Sequence, residues 1–172
     1  MCELASGFYD ICESSGGIDT SYAFTVWNYT LNQSNIATLT IANGECTALT
    51  LVAGKTAFPI NYRQETGFFT DEKTEGAGGY ARAQTTTLMV FGNTKEMITN
   101  IEGMAKSRTA VINKLNDGTF EMMLWEKGGK TTDSRASGTA TEDMNGTTLT
   151  ISGKSTQKAV KISSTIVLAL LA

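Results

Sequence analysis

The sequence predicts a mostly β (α+β) fold: a β-sandwich or barrel-like body with one flanking α-helix and a long projecting β-hairpin arm. Three observations predict it. Apolar and polar residues alternate over many short runs, the period of a half-buried strand. The runs are rich in threonine, whose branched Cβ suits a pleated strand and loses χ1 freedom in a helix. Seventeen glycines and one proline, Pro59, supply tight turns and leave strand ladders uninterrupted. At 172 residues the chain has room for one core, so a single domain over 1–172 is expected. With 41% hydrophobic and 18% charged residues it falls outside the disordered class.

Taken in order, "IDTSYAFTVWNYT" (18–30) sets Tyr22, Phe24 and Val26 on one face and Ala23, Thr25 and Trp27 on the other, as a strand does. "NIATLTIANG" alternates in the same way and stops at Asn43-Gly44, and "CTALTLVAG" stops at Gly54. The segment 57–92 predicts two long β-strands, "AFPINYRQETGFFTDEKT" and "YARAQTTTLMVF", joined across the glycine-rich stretch 75–79, with the projecting part at about 60–90. Arg63, Glu65, Asp71, Glu72, Lys73, Glu75 and Arg82 give this arm a charge density suited to solvent, and its tip is expected to be mobile. Phe68 and Phe69 either anchor in a neighbouring surface or pack on the parent domain. Contact candidates for self-association are Phe68, Phe69, Asp71, Glu72, Lys73 and Glu75 on the arm, with Lys158 and Lys161 near the C-terminus.

"NTKEMITNIEGMAKSR" predicts the helix, at about 94–107. Met97, Ile98, Ile101, Met104 and Ala105 fall on one stripe, Asn93 stands as N-cap with Glu96 in the capping-box position, and Lys106 and Arg108 suit the C-terminal end of the dipole. Gly103 costs about 1 kcal/mol relative to alanine, so the helix needs a sheet to pack on. A meander follows. "TAVINKL" turns at Asn116-Asp117-Gly118 into "TFEMMLWEK", which turns at Gly128-Gly129; "SRASGTATEDM" turns at Asn145-Gly146 into "TTLTISGK", and a last apolar strand follows Lys158.

The net charge of −3 is unevenly spread. No Lys or Arg precedes Lys55, whereas Glu3, Asp10, Glu13, Asp19 and Glu45 do; after Asp143 the only charged side chains are Lys154, Lys158 and Lys161. In a self-associating protein such opposite ends attract head to tail, whereas in a monomer the pattern is a chance scatter of solvated charge. Cys2, Cys12 and Cys46 cannot all pair within one chain, which suits a reducing compartment. "MCELASGFYD" has no export-signal pattern, and the apolar "ISSTIVLALLA" is about half a membrane helix in length, so its end is expected to be buried.

The chemistry available is narrow. Without histidine, Ser-His-Asp and Cys-His catalysis and mixed zinc sites are excluded. The glycines at 76–79 are not followed by Lys-Ser or Lys-Thr and do not form a phosphate loop. Glu142 and Asp143 are adjacent, so on a strand they point to opposite faces, poor geometry for paired acids. Asp143-x-Asn145-Gly146 is no calcium loop either, because its twelfth position is Lys154. No basic cluster interleaved with aromatics suggests nucleic-acid binding. The expectation is a protein that is not an enzyme, with no cofactor and no metal. A hydrolase built on Glu142 or Asp143 is weighed against this, as is a monomeric carbohydrate- or surface-binding module with Trp27, Phe68 or Trp125 as a sugar platform.

Two regions carry a family resemblance. The first is "CELASGFYDICESSGGIDTSY", with Cys2, Gly7, Cys12, Gly16, Gly17, Ile18 and Tyr22; the second is "NDGTFEMMLWEKGG" followed by "SGTATEDMNGTTLTISGK". In both, the chain resembles the tail tube proteins of tailed phages, in particular those of phages with Bacteroidetes-type hosts. It departs from them at Thr147, where the family often has an aromatic, and in its apolar tail. The resemblance implies a structural virion protein whose inner sheet joins those of its neighbours into a ring, usually hexameric, the rings stacking into a hollow tube. The implied partners are other copies of the chain, the tape measure, terminator or baseplate proteins, and a sheath where one exists. Genomic DNA would pass through the lumen without specific binding, and no membrane is involved. The implied location is the phage tail, after assembly in the host cytoplasm. Edge strands that endanger a monomer would then be the bonding sites of the ring.

Overall fold

The computed structural model describes residues 17–28, 33–62, 65–76, 79–92, 94–138 and 145–171. In chain order the first elements are β1 (Ile18–Asn28), β2 (Gln33–Ser34), β3 (Ile36–Ala42), β4 (Glu45–Leu51), β5 (Phe58–Ile60), β6 (Phe68–Gly76) and β7 (Gly79–Phe91). Then come α1 (Lys95–Ala105), β8 (Arg108–Leu115), β9 (Phe120–Met123), β10 (Lys130–Ala136), β11 (Gly146–Ser155), β12 (Val160–Ile162) and α2 (Ser164–Leu170). The fold is mostly β, as the alternation predicts.

One sheet runs β2-β1-β8-β9-β12-β4-β3, with β5 also pairing β1. Its first and last strands are separated in the chain by Asn35 alone, whose N–H donates to Val26 O and whose side chain donates to Thr25 O. The sheet therefore curls back on itself into a barrel-like body. Its interior holds Phe24, Val26, Leu49, Ile112, Met122 and Trp125, all buried. Within this sheet Asn43 (φ 52) and Gly44 (φ 80) form the β3–β4 turn, left-handed at both positions as a type I′ hairpin requires. Asp117 and Gly118 form the β8–β9 turn: Gly118 takes φ 85, and Asp117 Oδ1 accepts from both the N–H and the hydroxyl of Thr119.

The second sheet, β10-β11-β7-β6, packs on the outside of this body. β8 is buried on both faces as a result: Ala110 and Ile112 point into the barrel, while Val111 joins Met123, Leu124 and Ile151 between the sheets. A polar seam runs through the same layer. Ser21 Oγ donates to Asn113 Oδ1 (2.8 Å), Asn113 Nδ2 donates to Thr86 Oγ1 (3.2 Å), and Gln84 Oε1 accepts from Leu124 N–H (2.9 Å). Buried polar groups that satisfy each other in this way fix the register of one sheet on the other. The chain crosses between sheets at residues 124–129, where Gly129 pairs with Thr109. A Cβ on Gly129 would sit 2.6 Å from Leu124 Cδ1 and 3.0 Å from Ile151 Cγ2, so glycine here lets the backbone approach the layer between the sheets without displacing its side chains.

Four expectations change. The first strand of the long arm is shorter than predicted: β5 pairs with β1 in the barrel, and β6 starts only at Phe68. Helix α1 is capped by Thr94, whose side chain accepts from Met97 N–H, and not by Asn93, which lies outside the described residues; Glu96 is in the first turn. The apolar C-terminus is a strand only over β12. Ser163 then caps a second helix, α2, which buries Val167 and Leu170 in the barrel, so two helices flank the body instead of one. Finally, Asn145-Gly146 is not a two-residue turn. Gly146 opens β11, pairing with Ala136 on one side and Phe91 on the other, and a Cβ there would lie 2.9 Å from Val90 O.

Candidate assembly surface

The four-stranded sheet presents one face to the barrel and one to solvent. Antiparallel register fixes which residues share each face. Across the outer face run Thr132, Thr150, Thr87 and Phe68 in one row and Lys130, Ser152, Thr85 and Thr70 in the next, with Thr148 beside Met89 on the other side. This is a broad hydroxyl surface. Its charged residues are Lys130, Lys154 and Glu72, with Lys154 and Glu72 flanking Ala83 in one row.

The two edges of this sheet are β10 and β6, and among the described residues no strand pairs with either outer edge. Every residue of β10 except Thr131 is exposed. Because all three internal pairings are antiparallel, β6 runs opposite to β10. A copy rotated about an axis along the strands thus brings its β10 antiparallel to β6, and the sheet continues without a break.

Beyond the body, β6 and β7 project as the arm, exposed from Glu72 to Gly76 and at Gly79 and Tyr80; residues 77–78 at the tip lie outside the described residues. The contact candidates divide along it. Phe68 is 55% exposed on the outer face, whereas Phe69 faces inward and packs on the cluster of Val111, Met123, Leu124 and Ile151. The Asp71 side chain is only 7% exposed and is engaged within the chain: Oδ1 accepts from Arg82 Nε at 2.7 Å and Oδ2 from Ala159 N–H at 2.9 Å. Glu72, Lys73 and Glu75 face solvent. Lys73 pairs with Glu75 at 2.7 Å and lies 5.3 Å from the centre of the Tyr80 ring, and its hydrogen bond and charge hold the Glu75 carboxyl below its usual range.

Lys158 and Lys161 are exposed at the base of the arm, around a carboxylate that the sequence does not single out. Glu121 is half-buried; burial pushes its carboxyl up, against the pull of Lys161 and Lys158, and with Asp117 and Asp71 adding to the rise. Glu126 shows the opposite balance. Burial raises its carboxyl, but hydrogen bonds from the Thr156 hydroxyl and N–H and from Ser155 outweigh this and hold it low.

Of the proposed sugar platform, Trp125 is buried in the barrel and Trp27 is half-buried at the end of β1. Glu142 and Asp143, like Cys2 and Cys12, lie outside the described residues. Cys46 is buried and unpaired, and burial pushes its thiol up. Among the described residues no three His, Cys, Asp or Glu side chains stand close enough to hold a metal ion, and no helix is long and apolar enough to cross a membrane.

The edge residues Lys130, Thr132 and Ser134 are absent from the sequence-based candidates. The signal for them is the alternation in "KTTDSRA", which marks a strand but not whether it is central or at an edge. No protein-family model matches the sequence, no curated protein matches it, and no solved structure matches the fold.

Proposed function

We propose that this chain is a structural protein that polymerises through its four-stranded sheet into rings that stack into a hollow tube, the tail tube of a phage. The observation that carries the reading is the pair of open edges, β6 and β10, running in opposite directions. An even-stranded, fully antiparallel sheet is the form that a rotational array extends into a closed barrel, leaving no edge to aggregate. The hydroxyl face would line the lumen, where sparse charge lets a polyanion slide instead of binding. The family resemblance points the same way. Other copies of the chain are the main partners, with tape measure and tail-end proteins meeting the ends of the stack.

The test is to make the β10 edge repellent at the cost of one exposed hydrogen bond, from the Thr132 hydroxyl to Thr150 O. Thr132→Lys with Ser134→Lys places two charges on an exposed edge. Rings seen in electron micrographs of the parent protein should be missing from this variant, with its melting curve little changed. Rings of normal size in the variant would remove β10 from the interface and the reading with it.

A further inference from the structure

At the end of β1 an open groove of about 500 Å³ is lined by Trp27, Arg108, Glu126, Lys127 and Lys154. Among the described residues none of its three cations forms an ion pair. Its carboxylate, Glu126, is engaged by Ser155 and Thr156. Lys127 also acts on the Glu126 carboxylate by charge, so the groove offers three cations against one carboxylate, a net positive charge beside an indole.

We infer that this groove receives the acidic N-terminal segment, residues 1–16, of a second copy. That segment lies outside the described residues, and its sequence supplies the complement: Glu3, Asp10 and Glu13 with no Lys or Arg, and Phe8-Tyr9 directly before Asp10. Opposite charges across an interface steer approach and fix register, and an aromatic pair suits an indole wall. The placement favours a neighbour over the chain's own segment. β8 pairs Arg108 with Trp27 at one end of β1 and Leu115 with Ile18 at the other, so Gly17 lies up to about 33 Å from the groove, whereas Asp10 and Glu13 of the same chain, seven and four residues from Gly17, reach at most about 24 Å and about 14 Å. Head-to-tail stacking brings the N-terminal end of one copy to the groove end of the next, a heterologous contact that repeats without limit. The inference rests on the stacking reading above and names one contact between rings, separate from the arm.

The test mixes two full-length chains. The donor is native and carries Cys2 and Cys12; the tagged acceptor carries Cys2→Ser, Cys12→Ser and Lys127→Cys, its remaining Cys46 being buried. A short bismaleimide should link donor to acceptor. Arg108→Glu with Lys154→Glu in the acceptor should lower the linked fraction about tenfold, as should high salt. Tubes in micrographs of the mixture without donor–acceptor links overturn the inference and leave the tube reading intact. A link formed only within one chain, in a single chain carrying Lys127→Cys and the native cysteines, also overturns it. Neither tubes nor links would overturn both.

Discussion

Asp71 joins three pieces of chain: its own strand β6, Arg82 across the hairpin, and the Ala159 N–H that precedes β12. Asp71→Ala leaves a guanidinium and a backbone N–H without their acceptor and should destabilise the fold by about 3 kcal/mol, read from urea unfolding. Reversing exposed Glu72 should leave the unfolding curve unchanged. At Gly146 the strand reading is directly testable. Gly146→Ala pushes a methyl against Val90 O and should cost about 1–3 kcal/mol, while Asn145→Ala at its exposed neighbour should cost little; a type I′ turn would make both positions sensitive. Two carboxylates then act with opposite sign on pH. The fold raises Glu121 above its ordinary 4.5, so its contribution is lost as pH rises through the folded value, and Glu121→Gln should stabilise the protein at neutral pH. The fold lowers Glu126, so its contribution is full above 4.5 and lost as pH falls through the folded value, and Glu126→Gln should destabilise at neutral pH and weaken the acid transition. Asp117-Gly118 was legible because local geometry alone decides that turn. Asp71 was not, because charge in a sequence suggests solvent and only the sheet-on-sheet packing brings Ala159 and Arg82 to it.

Among elements, the strands were legible wherever apolar and polar residues alternate, as in β1, β3, β4 and β7. The helix α2 was not: Ile162, Ile166 and Val167 are β-branched and read as strand, and the signal for a helix is the Ser163 cap followed by Val167 and Leu170 at helical spacing. The sequence also does not show that β5 leaves the arm for the barrel, because pairing with β1 is a long-range choice. The arm itself is two parts. Its base, through Asp71 and Arg82, is built into the body, and only the part beyond them is free to meet a neighbour. Removing residues 74–81 and closing Lys73 to Arg82 with a short turn should leave the melting temperature within a few degrees of the parent, because the described residues of that stretch are exposed except for half-buried Ala81. In micrographs, that variant should give rings but no long tubes. Long tubes would remove the arm tip from the contacts between rings and leave the groove at the end of β1 as the stacking contact.

At the scale of the whole molecule, three features point in one direction. A barrel-like body gives a rigid support, the second sheet has two antiparallel edges with no strand paired to them among the described residues, and the chain carries acid at its beginning and base at its end. Each is ordinary alone. Together they support the proposed reading, in which a neighbour would extend the sheet and ends of opposite charge would stack. The most direct measurement is electron microscopy of the concentrated, purified protein, with sedimentation on the same samples, in the presence and absence of a tail initiator. The account predicts closed rings of uniform diameter and tubes built from them. A protein that sediments as a monomer at high concentration under both conditions, with no rings in the micrographs, would contradict it.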